Sequence, residues 1–287
     1  MSERIGVIGL GRMGWALAAR LGSQGLEVRG WTRSGADPES AKASGFVAVA
    51  ELDELVAGSD VLILSLFDEA AARDVLAKLA LQDLSDKLVV ETSTVTPQVV
   101  RDCEEAIISA GGRLIDAPIS GGPEMVAAGT MGLFIGGDGS DVARFMPIAE
   151  TGSNRVAHVG PLGAGAAMKI VNNVALAGSF QAAGEALELG NAMGLEFATM
   201  LNLISSGPAA TPMFRARVPK ILGDDPEVGF SLDGADKDSS VFLGAARQYN
   251  VKLPAMEAAA RNVRAAVDAG LGHRDVAARI RYRLGLE

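Results

Sequence analysis

Cysteine, histidine and aromatic residues are scarce in this 287-residue chain, and each scarcity removes a class of function. A single cysteine, Cys103, excludes an intrachain disulfide and a thiolate metal cluster. The two histidines, His158 and His273, lie far apart in sequence, which argues against a zinc site. No run of Lys and Arg offsets the formal net charge of −9, so electrostatics offer no hold on nucleic acid. Any anionic ligand must be held by local cations or by helix N-termini. No apolar run reaches membrane-spanning length, and no charged-then-apolar leader precedes the first strand pattern. A cytoplasmic protein without membrane attachment is expected.

What is abundant points the other way. Apolar residues make up 48% of the chain against 21% charged, the balance of a globular protein. Glycine is high at 35 residues, which suits tight βα turns and close helix packing. The length allows one large or two medium domains. Strand and helix patterns alternate up to about residue 160, and only helix patterns follow.

Arg4-Ile5-Gly6-Val7-Ile8 reads as a strand, and it runs into Gly9-Leu10-Gly11-Arg12-Met13-Gly14 and then an Ala/Leu-rich helix. A second strand, Glu27–Trp31, follows at the right distance. That context makes a G-x-G-x-x-G informative as a dinucleotide turn, where alone it is a weak signal. Gly9 permits the tight turn, Gly11 lets the backbone approach a pyrophosphate, and Gly14 lets helix and strand pack closely. The end of the second strand selects the dinucleotide. An NAD site presents an acid about 20 residues into the motif. Here the residues are Thr32-Arg33-Ser34, with no acid before Asp37. A guanidinium grips a 2′-phosphate where a carboxylate repels it, so NADP(H) is expected. The alternative for Arg33 is a solvated loop cation.

Val61–Leu66 and Leu88–Glu91 are further strands, apolar throughout as in a sheet covered on both faces. Ligands in open α/β sheets sit at the carboxyl ends of the strands, which makes Leu66, Phe67, Ser93 and Thr94 candidate cofactor neighbours. Ser93 and Thr94 also suit N-capping of a helix that starts near Pro97. Arg113–Pro118 is another strand, followed by Ile119-Ser120-Gly121-Gly122-Pro123. Gly121 and Gly122 allow close approach, and Ser120 with free amides can hold a carboxylate; the bland reading is an ordinary turn. Met131–Ile135 and Val156–His158 complete the strands, with His158 expected to pack beside the sheet edge.

From Gly163 to about Met193 the pattern is one helix, apolar on nearly every side and roughly 45 Å long. Such a helix must be covered all round. It reads as a spine between a dinucleotide-binding domain of residues 1–162 and an all-helical domain of residues 194–287, covered also by a second subunit. Lys169 and Asn173 are four apart and share a face, while Asn172 points elsewhere. Gly163-x-Gly165 lets another backbone, or a nicotinamide, come close. Lys169 is either a functional lysine in an apolar setting or one that snorkels to water. Helices are expected over Glu196–Ser205, Met213–Leu222, Leu232–Arg247, Met256–Ala269 and Arg274–Leu284. Lys237-Asp238 stands out there, either as a lysine turned toward a ligand or as a surface ion pair.

Taken together, these residues resemble the β-hydroxyacid dehydrogenase family over nearly the whole chain. Its cofactor signature matches Gly9–Gly14, its substrate signature Asp116–Gly122 continuing to Gly129-Thr130, its catalytic signature Gly163–Asn173, and its late lysine Lys237-Asp238. The resemblance implies an α/β Rossmann-type domain followed by an all-α domain. It further implies that Lys169 transfers the proton and Asn173 holds the substrate oxygen. Ser120, Gly121 and Gly122 would bind the carboxylate, and Lys237 would close over nicotinamide and substrate. Thr32-Arg33-Ser34 and Thr211–Phe214 look more like NADPH-using glyoxylate and succinic semialdehyde reductases than 3-hydroxyisobutyrate dehydrogenases.

There are departures from the family pattern. Met125-Val126 stand where Gly-Ala is usual, Leu66-Phe67 where Leu-Pro is usual, and Thr32 where NADP users have Asn. Three competitors share the plan. Imine reductases tend to replace the lysine. 6-Phosphogluconate dehydrogenases carry His-Asn where this chain has Asn172-Asn173. A non-catalytic NADP-binding module has no need of Lys169. The expected partner is a small carboxylate or aldehyde substrate, with assembly as a homodimer or homotetramer.

Overall fold

The computed structural model describes residues 3–286. The chain divides into two compact units, Met1–Ile170 and Val171–Glu287.

In the first unit, strands β1 (Ile5–Ile8), β2 (Val28–Trp31), β3 (Val47–Ala48), β4 (Val61–Leu64), β5 (Leu88–Glu91) and β6 (Arg113–Asp116) pair in parallel in the order β3-β2-β1-β4-β5-β6. The central strands are buried end to end because apolar layers cover both faces. Alternate residues serve opposite layers: Val61 and Ile63 join Ile5, Val7 and Val90 on one side, while Leu62 and Leu64 join Ile8 and Val89 on the other. The pattern is the doubly wound dinucleotide-binding sheet.

Beyond β6 the sheet changes sense. β7 (Ile119–Ser120) and β8 (Gly132–Gly136) pair antiparallel, β8 is antiparallel to β6, and β9 (Arg155–Gly160) runs parallel to β8 at an edge. The expected loop at Ile119–Ser120 is therefore partly a strand. Two residues are too few to show alternation in sequence, as is also true of β3.

The helices that position the site are α1 (Arg12–Ser23), α2 (Pro38–Ala43), α5 (Pro97–Ser109), α6 (Pro123–Ala128) and α8 (Ala164–Ala192); α3 (Leu52–Ala57), α4 (Glu69–Leu79) and α7 (Gly139–Gly152) complete the unit. The 29 residues of α8 extend about 43 Å and pass from the first unit into the second. Phe180 and Leu187 are buried along it, whereas Val171 and Leu189 remain exposed in the single chain.

The second unit is helical: α9 (Phe197–Ser206), α10 (Pro212–Ala216), α11 (Val218–Leu222), α12 (Leu232–Gln248), α13 (Pro254–Ala266) and α14 (Ala278–Arg283). Apart from shifts of one to three residues at other ends, two boundaries differ from expectation. The single helix expected over Met213–Leu222 is two, because Pro219 has no N–H to continue the ladder past Arg217. The last helix starts at Ala278 instead of Arg274. The preceding residues form a bridge, with Leu232 N–H donating to Arg274 O at 2.9 Å and Val276 N–H to Phe230 O at 2.8 Å. The cores of this unit gather Phe180, Leu187, Leu201, Phe214 and Ile221, and separately Leu232, Val263 and Ala266.

Candidate active site

The three motif glycines of the first turn do different work. Gly9 sits at φ +97°, and a Cβ there would press on the Ser65 carbonyl and the Leu66 side chain. A Cβ on Gly14 would overlap the Gly9 carbonyl oxygen, so this glycine is required by helix-to-strand packing. A Cβ on Gly11, by contrast, would meet no atom within 4 Å. Gly11 also caps α1 without a side chain, and the first turn carries no acid. An uncapped, positively polarised helix end behind an unobstructed glycine fits a pyrophosphate. Leu10 and Met13 pack their side chains on the sheet core, and Arg12 is exposed.

At the end of β2, Thr32 is half-buried while Arg33 and Ser34 are exposed, in a turn closed by Gly35 N–H to Thr32 O at 2.9 Å. The nearest acid, Asp37, is spent as the cap of α2. It accepts from the Ser40 hydroxyl at 2.5 Å and the Ser40 N–H at 2.9 Å, and these bonds hold its carboxyl below the usual range.

The ends of β4 and β5 are linked by a relay. Ser93 Oγ accepts the Leu66 N–H at 2.8 Å, and Glu91 Oε1 accepts the Ser93 N–H at 2.6 Å. Ser93 and Thr94 do not cap α5; Thr96 occupies the cap position, and its N–H donates to Glu69 Oε1 at 2.6 Å. Phe67 is exposed and Thr94 half-buried. Glu91 itself is buried, and desolvation pushes its pKa up to about 7 against the pull of the Ser93 bonds.

The end of β6 supplies a second buried acid. Asp116 Oδ1 accepts the Gly163 N–H at 2.7 Å and Oδ2 the Ala166 N–H at 2.6 Å, so one carboxylate caps the helix that carries Lys169. Burial raises its pKa to about 6, opposed by the Ala166 and Gly163 N–H groups. The glycines around it follow from this contact. A Cβ on Gly165 would overlap the Phe134 carbonyl and lie 2.8 Å from Asp116 Oδ2. At Gly165 the close approach is made by the Phe134 and Asp116 backbone together with the Asp116 carboxylate.

Lys169 is buried, only 8% exposed, and its Nζ donates to the carbonyl oxygen of Ile119. It does not snorkel to water. The bond brings Nζ to the first residue of β7, which Ser120, Gly121 and Gly122 follow in the chain. Gly121 lies at φ +142°, beside the Met125 side chain. His158 stays at the edge strand, its Nε2 3.2 Å from Gly137 O and 2.9 Å from Gly160 O.

In the second unit, Asn172 does not turn away from its neighbour. Its Nδ2 donates to Asn173 Oδ1 at 3.0 Å and sets the orientation of that amide. Lys237 lies on α12 and pairs with the buried Asp238 at 2.5 Å. From the sequence Glu91 has no role, and Asp116 has only a place at the start of the substrate signature, not the capping of α8. The available signal was an acid closing an otherwise apolar strand, at Leu88-Val89-Val90-Glu91 and Leu114-Ile115-Asp116. Among the described residues no group of three or more His, Cys, Asp or Glu is placed to hold a metal, and no helix is long and apolar enough to cross a membrane.

The sheet order and the Gly11 turn define a doubly wound dinucleotide-binding fold. Residues 4–160 match the family described as the NAD binding domain of 6-phosphogluconate dehydrogenase. Residues 163–283 match the family described as NAD-binding of NADP-dependent 3-hydroxyisobutyrate dehydrogenase. The chain is 30% identical to 2-(hydroxymethyl)glutarate dehydrogenase of Eubacterium barkeri, covering 98% of this chain and 94% of the relative. It is 27% identical to glyoxylate/succinic semialdehyde reductase 1 of Arabidopsis thaliana, covering 96% of each. The structure of 3-hydroxyisobutyrate dehydrogenase of Mycobacterium tuberculosis with L-serine aligns with a TM-score of 0.86 at 28% identity, over 98% of this chain and 99% of that one. The chain belongs to the β-hydroxyacid dehydrogenase family, and its cofactor is a nicotinamide dinucleotide.

Proposed function

We propose that the protein is an NADP(H)-dependent oxidoreductase that interconverts a small β-hydroxy acid and its semialdehyde, or reduces a short aldehyde or keto acid, with Lys169 as the proton donor and acceptor. The observation that carries this reading is the buried Lys169 Nζ, which donates to the Ile119 carbonyl immediately before Ser120-Gly121-Gly122. A lysine kept out of water in an apolar helix is expensive unless its charge or its proton is used.

The bound nicotinamide supplies the hydride in reduction and receives it in oxidation. The Gly11 turn holds the pyrophosphate, with Leu66, Phe67, Ser93 and Thr94 beside the cofactor, and Arg33 with Thr32 and Ser34 binds the 2′-phosphate. The Ser120 hydroxyl and the Gly121 and Gly122 amides hold the substrate carboxylate. Lys169 as ammonium stabilises negative charge growing on the substrate oxygen and then passes its proton from Nζ to that oxygen. In the oxidative direction the neutral amine takes the proton back. Asn173, its amide oriented by Asn172, holds the same substrate oxygen. Lys237 is assigned to substrate and cofactor binding on the family signature. Lys169 favours this chemistry over imine reduction and over a non-catalytic module. The exposure of Val171 and Leu189 on α8 supports assembly as a homodimer or homotetramer, and a cytoplasmic location is part of the same reading.

The test is Lys169→Ala assayed against a panel of short semialdehydes, with NADPH binding followed by fluorescence. Turnover falls by about 10²–10⁴-fold, the usual contribution of a general acid, while NADPH affinity is unchanged. An equal loss of cofactor affinity would overturn the assignment of Lys169.

A further inference from the structure

Arg279, on α14 of the second unit, is 4% exposed. Among the described residues no carboxylate pairs with it, and its guanidinium donates no hydrogen bond to protein. Its one close partner is the Phe180 ring, 4.7 Å from the guanidinium carbon to the ring centroid. The surrounding charge makes the arrangement less favourable. Two neighbouring cations, Arg283 and Arg217, disfavour the charge of Arg279. Their own counter-ions are spent: Asp275 lies 3.3 Å from Arg217 Nε and accepts the Gly229 and Phe230 N–H groups at 3.0 Å each, and Glu188 pairs with Arg283. Burial, with the charges of Arg283 and Arg217, lowers the Arg279 pKa to about 10, which leaves the side chain cationic at neutral pH.

A largely buried cation with no carboxylate beside it is costly, and an anion that reaches its N–H donors offsets that cost. A phenyl ring over one face of a guanidinium satisfies the face and leaves the N–H donors at the edge, where a planar oxyanion is bound in a fork. The small exposure favours a small ligand, since a carboxylate on another protein's surface must reach inside. We propose that Arg279 marks an anion-binding subsite in the second unit that takes the carboxylate group of a small organic acid. The subsite lies along α8 from a proposed substrate residue. Phe180 and Asn173 are seven positions apart and so share a face of the helix, about two turns or 10 Å from each other. It does not depend on Lys169 being the proton donor, because binding is read without turnover.

The experiment follows the thermal unfolding midpoint of the full chain against increasing glutarate, with the uncharged pentanediamide as control. Wild type, Arg279→Leu, Arg279→Lys and the exposed-site control Arg261→Leu are compared. Wild type and Arg261→Leu are stabilised saturably by glutarate and not by the diamide. Half-saturation moves at least about tenfold higher in Arg279→Leu, the worth of one charge-assisted fork. Arg279→Lys, which keeps the charge and loses the fork, falls between and carries the comparison if the leucine variant does not fold. Equal half-saturation in wild type and Arg279→Leu overturns the proposal, as does a wild type without a saturable shift. Loss of oligomer in Arg279→Leu with an unchanged glutarate response also overturns it and assigns Arg279 to a subunit contact.

Discussion

The carboxylate of Asp116 accepts the backbone N–H of Ala166 at 2.6 Å, three residues before Lys169. An acid at the carboxyl end of one sheet strand thereby sets the start of the helix that carries the proposed proton donor. The same oxygen pair also accepts from Gly163, so the helix entry is clamped at two points.

Removing that clamp displaces Lys169 without touching it. Asp116→Ala leaves two buried N–H groups without an acceptor and lowers stability by about 2–4 kcal/mol, from the loss of a cap and of buried hydrogen bonds. In the remaining folded protein kcat falls more than KM rises. Chemical denaturation and steady-state kinetics on one preparation check both. A variant with wild-type kcat would show that Lys169 is positioned by other contacts.

The buried Glu91 makes stability depend on pH in a direction opposite to that of a salt-bridged acid. Its folded pKa of about 7 lies above the ordinary 4.5. A raised pKa means that the folded state binds the proton more tightly. Its stabilising contribution is therefore complete below about pH 4.5 and is lost as pH rises through 7. The slope is at most about 1.4 kcal/mol per pH unit. Unfolding of wild type and Glu91→Gln at pH 6, 7 and 8 isolates this group: the difference between the two narrows or reverses as pH rises. A pH-independent difference contradicts the assignment.

Two glycines separate packing from ligand binding. Gly165→Ala places a methyl against the Phe134 carbonyl and the Asp116 carboxylate and destabilises the fold by about 1–3 kcal/mol. Gly11→Ala meets no protein atom, so the melting temperature stays within a degree or two while NADPH affinity drops at least about tenfold. Thermal melts paired with NADPH titration distinguish the two, and a Gly11→Ala variant that keeps its affinity removes the pyrophosphate from this turn.

Arg33 is predicted to carry the choice of cofactor. Arg33→Ala raises KM for NADPH by about 10–100-fold, the worth of one or two charge-assisted bonds to a 2′-phosphate, and leaves KM for NADH within twofold. A wild-type preference for NADH would show instead that the loop Thr32-Arg33-Ser34 does not select a 2′-phosphate.

Much of the architecture was legible because its signals are local. Continuous apolar strands at Val61–Leu64 and Leu88–Glu91 announce a sheet covered on both faces, and the spacing of Gly9, Gly11 and Gly14 between a strand and a helix announces the dinucleotide turn. The family itself follows from four short motifs in order. Lys169 was visible as a cation inside an apolar helix, but its burial was not, since a snorkelling lysine has the same neighbours in sequence.

What the tertiary structure decided are relations between residues far apart in the chain. Asp116 and Gly163 are 47 positions apart, and only the crossing of β6 under the start of α8 makes one the cap of the other. Gly11 and Gly14 look alike in the motif, yet one faces open space and the other a carbonyl oxygen. The uncompensated charge of Arg279 is likewise invisible in a sequence rich in Asp and Glu. Charge balance in a folded protein is settled by which carboxylates reach a buried cation, and here Asp275 and Glu188 are taken by Arg217 and Arg283.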